Sequence, residues 1–270
     1  MKISCIIPTR DRREMVVNAI ESVLTQTETV HEIIVVDDGS LDGTGTAIRE
    51  RFQSVKVITT NGIGPGPARN AGVSAAGGDV VMFLDSDDRW LPDHAASLMA
   101  VMKMGHHVAY GVTRNIDRIS QPNAEFLIPD DGVGVHGQCF KALTKWCFMV
   151  PSSVCMTKDA FQKAGGFDDW QPGEDWAFFL RLSAQFPFGF TDKIITLRIL
   201  HCGSLCHTNG DGKGIEKTIA SVVNVIRKSG MSGPDELLWF DTVKETARKE
   251  SKKWKSVQDW FTHMKTQGLL

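Results

Sequence analysis

Three acidic clusters hold most of the chemistry within reach of this 270-residue chain. The first, Asp37-Asp38-Gly39-Ser40, directly follows the apolar run Ile33-Ile34-Val35-Val36. Asp, Gly and Ser suit a turn, and Asp42 or Thr44 could cap a following helix. A cap needs only one such residue, however, and two adjacent carboxylates beyond a buried strand call for a partner. The second cluster, Asp85-Ser86-Asp87-Asp88, follows Val80-Val81-Met82-Phe83-Leu84. Two unit charges about 4 Å apart repel by roughly 4 kcal/mol at an effective dielectric near 20. Such a cluster most readily exists to hold a hard cation. Mg2+ and Mn2+ prefer one or two carboxylates plus phosphate oxygens, and the ion also relieves repulsion between these acids and a diphosphate. A solvated acidic turn is the plainer alternative. The third cluster, Gly173-Glu174-Asp175-Trp176, opens an apolar helix. Acids in a first turn complement the helix dipole, or one of them serves as a general base at the rim of a site.

The glycine-rich stretch from Asn61 to Asn70 precedes a helix but is neither a dinucleotide fingerprint nor a Walker loop. Pro67 stands where the third glycine belongs, the stretch follows the third strand, and no Gly-Lys-Ser/Thr occurs. Arg69, near the helix start, reads as a phosphate or base contact, with a surface salt bridge as the alternative. His201-Cys202 and Cys206-His207 suggest a zinc cluster, which the lack of a second knuckle disfavours.

The elements that must carry these loops alternate between two periods. Strands are expected at 3–7, 33–36, 55–58 and 80–84, and helices at 15–24, 44–52, 67–76 and 91–104. This alternation implies an α/β fold with a mostly parallel central sheet flanked by helices, and ligands outside the carboxyl ends of the strands. Beyond it, strands are expected at 108–113, 153–156 and 194–200, a helix at 174–185, and helices at 215–227 and 234–264. The division that follows is a domain at 1–210, with halves 1–104 and 105–210, and a helical C-terminal extension at 211–270. Hydrophobic residues make up 42% and charged residues 23%, which excludes disorder and fibrous classes. The formal net charge of −2 offers no basic field for nucleic acid. No 18-residue apolar run and no leader pattern is found, so a cytoplasmic protein with six reduced cysteines is expected.

Together these segments resemble the family 2 glycosyltransferases of GT-A fold. The matching pieces are Ile6-Ile7-Pro8-Thr9-Arg10-Asp11-Arg12, Glu21 to Thr27, Glu32 to Thr44, Ala68-Arg69-Asn70-Ala71-Gly72, Gly78 to Asp88, Gly165-Gly166-Phe167-Asp168 and Gly173-Glu174-Asp175. The resemblance covers about 1–207 and implies a nucleotide-sugar-binding half followed by an acceptor-binding half. By resemblance, Pro8, Thr9, Arg10 and Arg12 cradle the nucleotide, Asp38 reads the base, and Arg69 contacts the nucleotide. Asp85-Ser86-Asp87 matches the family's D-x-D motif, with Asp87 the direct ligand of Mn2+ or Mg2+, Asp85 a ligand directly or through water, and Ser86 beside the donor. Asp175 matches the catalytic base, and His201 is a metal ligand or a phosphate contact, with a buried structural histidine as the alternative. The activity so implied is inverting, non-processive transfer from a nucleotide-diphosphate sugar, UDP-sugar favoured, to a hydroxyl of a glycan or lipid-linked acceptor. That would place the protein in polysaccharide or cell-surface glycan synthesis. A sugar nucleotidyltransferase and a non-catalytic nucleotide- or glycan-binding protein on the same fold are the rivals. The tail from Lys244 to Lys265 carries seven basic and three acidic residues among tryptophans. Packing of those tryptophans on the domain is the preferred reading, and peripheral contact with the cytoplasmic face of a membrane the alternative.

Overall fold

The computed structural model describes residues 1–202 apart from 119–123, 145 and 170–172. The expected extension at 211–270, the tail's membrane contact, and Cys206 and His207 therefore lie outside the described residues.

The first half follows its period-two and period-3.6 patterns closely. Strands β1 (Ile3–Thr9), β2 (Glu32–Asp37), β3 (Lys56–Thr59) and β4 (Val80–Phe83) alternate with helices α1 (Arg13–Leu24), α2 (Thr44–Arg51) and α3 (Pro65–Ala75). The four strands pair in parallel in the order β3-β2-β1-β4. The chain thus winds outward from β1 to β3 and returns to β4 on the other side of β1. This reversal opens a crevice at the carboxyl ends of β1 and β4, where such sheets bind ligands.

Two hydrophobic layers cover the sheet, as expected when strand side chains alternate. Ile6, Ile34, Val36 and Phe83 pack with Ala68 and Val73 of α3. Ile3, Cys5, Ile7 and Val35 pack with Val16, Ala19, Ile20 and Ile48 of α1 and α2. Gly72 lets α3 lie directly on the strands, for a Cβ there would stand 2.4 Å from Ile6 Cγ2.

The second half is where the sequence reading needs correction. The helix expected at 91–104 is shorter, α4 at His94–Met102, because Asp88–Trp90 forms a strand, β5, on the edge of β9 (Phe188–Leu200). β6 runs the full Val108–Asp117, paired in parallel with β9 and antiparallel with β7 (Ala124–Ile128). β8 (Val154–Thr157) joins the halves by running antiparallel to both β4 and β6. The sheet is therefore mixed, parallel throughout its first half and largely antiparallel beyond it. Helices α5 (Phe140–Leu143), α6 (Lys158–Lys163) and α7 (Glu174–Ser183) complete the described fold. Among the described residues Cys5, Cys139, Cys147, Cys155 and Cys202 are unpaired by disulfide. No helix among the described residues is long and apolar enough to cross a membrane.

Candidate active site

Helix α3 organises the site. Its entry is set by Asp38, just past β2. Asp38 Oδ1 accepts from Thr60 Oγ1 at 2.6 Å and from the Ile63 amide at 2.8 Å, and Oδ2 accepts from the Gly64 amide at 2.8 Å. Burial would raise its pKa, but these donors outweigh that and hold it below the usual carboxylate range. The glycine-rich turn is thus wrapped around an ionised carboxylate. A base-reading role leaves Asp38 little free lone-pair capacity beyond those three bonds.

Inside α3, the adjacent residues Arg69 and Asn70 reach in different directions. Arg69 Nη2 lies 2.6 Å from Asp85 Oδ1, and Nη1 lies 3.1 Å from Glu174 Oε1. Its side chain is only 5% exposed, and the guanidinium sits 5.1 Å from the Phe167 ring centroid. Where the sequence suggested a nucleotide contact or a surface salt bridge, the structure gives a buried cation between two carboxylates. Asn70 exchanges two 2.8 Å hydrogen bonds with the backbone of Phe167. Gly66 permits the close approach, since a Cβ there would stand 2.2 Å from the Asp168 carbonyl oxygen. Arg181 of α7 clamps the same loop through Asp168 at 2.7 Å. Phe167 meets Phe178 of α7 at 4.3 Å between centroids and Phe83 edge-on at 5.2 Å. Such pairs contribute about 0.5–1.5 kcal/mol each beyond their buried area. They fix the start of α7, and with it Glu174 and Asp175, against the end of β4.

The β1–α1 loop closes the opposite wall. Pro8 and Thr9 end β1, both buried, and the Thr9 hydroxyl has no partner among the described residues. Arg10 lies over Gly62, within reach of the glycine-rich turn. Asp11 adopts the left-handed region at φ 50° while accepting the Leu41 amide at 2.7 Å, which straps this loop to the one after β2. Arg12 Nη1 contacts Asp87 Oδ2 at 2.8 Å and Ser86 Oγ at 3.4 Å. His201, just past β9, places Nε2 3.1 Å from the same Asp87 oxygen.

A carboxylate oxygen and an imidazole nitrogen therefore converge; the carboxylate suits either Mn2+ or Mg2+, and the nitrogen favours Mn2+ over Mg2+. Among the described residues no cluster of three or more His, Cys, Asp or Glu forms a complete cage. An ion with two protein ligands and a diphosphate fits this arrangement. Asp85 is held by Arg69.

Electrostatics separate the acids into roles. Burial tends to raise the pKa of Asp85, but the Arg69 charge prevails and keeps it low. Glu174 is pushed up to about 7 by burial and by the neighbouring Asp175 charge, against the pull of Arg69. Asp175 is also raised, mainly by burial. Its Oδ1 accepts the Trp176 amide at 2.7 Å. A base must be ionised to act, so a raised pKa moves the loss of activity on acidification to higher pH. If Asp175 is the base, the acidic limb of kcat should fall above the ordinary aspartate value of about 3.9. A kcat profile flat down to that value would contradict the assignment.

The sequence singled out Asp87, Asp175 and His201 but gave no sign that Arg69 pairs with Glu174. Their 105-residue separation hides it.

Residues 4–132 match the family model described as Glycosyl transferase family 2, which ends before the Gly173–Asp175 segment. An uncharacterized glycosyltransferase of Nostoc sp. is 33% identical over 180 residues, covering 62% of this chain and 54% of the relative. Chondroitin synthase of Escherichia coli is 29% identical over 210 residues, 74% of this chain and 29% of that protein. The chain spans about a third to a half of the length of the curated relatives it matches first. The crystal structure of S. aureus TarS 1–349 in complex with UDP-GlcNAc superposes with a TM-score of 0.70 at 17% identity, covering 91% of this chain and 71% of that one. That likeness establishes the GT-A-type fold. The sheet and the acidic loops agree with that match, so residues 4–132 are similar to glycosyl transferase family 2 on a GT-A-type fold.

Proposed function

We propose that the chain transfers a sugar from a UDP-sugar to a hydroxyl of a glycan or lipid-linked acceptor, with inversion, in the synthesis of a cell-surface polysaccharide. One observation carries this reading: Arg69 joins Asp85 of the D-x-D motif to Glu174, next to the base Asp175, in a single ion-pair network. Donor-side and acceptor-side carboxylates then serve one substrate pair. The UDP complex of TarS and the activity named for chondroitin synthase support the donor class and the polymer product.

In this reading the loop from Pro8 to Arg12 and the turn held by Asp38 cradle the uridine. Thr9 offers it a buried hydroxyl. Asp87 and His201 would hold a divalent ion, with Asp85 as a further ligand or outer partner, and the ion would supply positive charge against the leaving diphosphate. Arg12 and Arg198 add positive charge on the same side, since both favour ionised Asp85. Asp175 keeps Oδ2 for the proton of the acceptor hydroxyl as its oxygen attacks the anomeric carbon. Attack from the face opposite the diphosphate inverts the configuration. Glu174 and Arg69 hold the base in place without touching substrate.

The test is release of free UDP from a panel of UDP-sugars with Mn2+, with and without candidate glycan acceptors. Turnover of at least one donor, lost in EDTA and restored by Mn2+, is expected. No turnover and no binding across the panel would contradict the reading.

A further inference from the structure

Behind the Asp85–Asp88 turn stands a serine that no sequence pattern singles out. Ser152 belongs to the short 3-10 turn Pro151–Ser153 that leads into β8, and it is fully buried. Its Oγ accepts the Asp85 amide proton at 3.0 Å and donates to Asp88 Oδ2 at 2.6 Å. The turn closes on itself through the Asp88 amide and the Asp85 carbonyl at 2.9 Å. One hydroxyl therefore staples both ends of the turn whose middle residues are Ser86 and Asp87.

Ser152 is in turn held from behind. Its carbonyl accepts Trp90 Nε1–H at 3.0 Å and Thr196 Oγ1–H at 2.9 Å. Trp90 stacks on the buried His94 with centroids 4.0 Å apart, and His94 Nδ1 lies 3.2 Å from the Ile195 carbonyl oxygen. Strands β5 and β9, helix α4 and the turn before β8 thus converge on one residue.

We infer that Ser152 is a positioning residue for the reaction, fixing the D-x-D turn so that Asp87 faces His201 and Asp85 faces Arg69. It touches neither donor nor acceptor. The inference rests on the functional reading above. Removing the hydroxyl leaves a part-buried amide and a buried carboxyl each short of a partner. The turn then loses its fixed orientation while the nucleotide cradle, built on β1 and β2, stays intact.

Calorimetric titration with UDP, in Mn2+ and separately in EDTA, tests this on the wild type, Ser152→Ala, Ser152→Cys and Ser153→Ala. The cysteine variant keeps the volume and guards against a variant that fails to fold. Ser153 is the control, since it is equally buried but its hydroxyl donates to the Val150 carbonyl at 3.1 Å. Both Ser152 variants should lose Mn2+-supported UDP affinity by about 10–100-fold, the usual cost of removing an outer partner of metal ligands. They should bind UDP in EDTA as the wild type does, and Ser153→Ala should match the wild type in both buffers. Wild-type affinity in Mn2+, or an equal loss in EDTA, overturns the inference. A wild-type protein whose UDP affinity ignores Mn2+ overturns the functional reading and this inference with it.

Discussion

Asp175→Asn should slow sugar transfer about a thousandfold, within the range typical of a lost general base, and leave UDP affinity unchanged. The amide cannot take up the acceptor's proton, yet it preserves the shape of the side chain. Its carbonyl oxygen can accept the Trp176 amide in place of Asp175 Oδ1, so the start of α7 stays formed. The proposed donor contacts lie at the ends of β1, β2 and β4 and do not involve this carboxyl. The pair of measurements is single-turnover transfer and equilibrium titration with UDP. Transfer close to wild type would remove Asp175 from the base role. Equal losses in transfer and in UDP binding would mark it as structural instead.

Arg69→Met should be the most destabilising single change at the site. The methionine fills much of the arginine's volume but leaves the buried Glu174 and the half-buried Asp85 without their shared cation. Breaking a buried pair in this way costs about 3–5 kcal/mol, which for a domain of this size lowers the melting midpoint by roughly 10 °C. Lysine should rescue only in part, because one ammonium cannot serve two carboxylates with the fork geometry of a guanidinium. The sign of the pH dependence is fixed by the same charges. Above pH 7 both carboxylates are ionised in the wild type and draw on Arg69, whereas in the variant Glu174, without that cation, keeps its proton to higher pH, so the loss is largest there. As pH falls through the raised value of Glu174, near 7, that group takes a proton and the loss shrinks. Melting curves at pH 5 and pH 8 check both points. A loss independent of pH would mean that Arg69 acts through packing on Phe167 rather than through charge.

The first half of the fold was legible because local pattern and burial agree there. Ile33 to Val36 is buried on both faces, and Val16, Ala19, Ile20 and Val23 mark the inner stripe of α1. The second half depends on pairings between distant segments. Asp88-Arg89-Trp90 has no strand pattern of its own and becomes β5 only because β9 lies beside it. β7 and the short helices α5 and α6 escaped for the same reason. At the site, residue types pointed to the acids, and their order along the chain carried the family resemblance. Partnership was not legible. Nothing local shows that Arg69 is buried, that Asp38 already serves three donors, or that Ser152 backs Asp85 and Asp88. Those facts come from close approach of loops at the carboxyl ends of three strands, set by Gly66, Gly72 and the aromatic cluster at α7.

The proposed reaction requires three acidic loops to serve one nucleotide sugar around one ion. Anomalous diffraction at the manganese edge, from crystals grown with UDP and Mn2+, tests it most directly. The predicted result is a single manganese bonded to Asp87, His201 and the diphosphate, with the uridine against the loop from Pro8 to Arg12 and Asp175 opening onto the same cleft. Manganese and UDP bound on another face of the domain, or apart from each other, would contradict it.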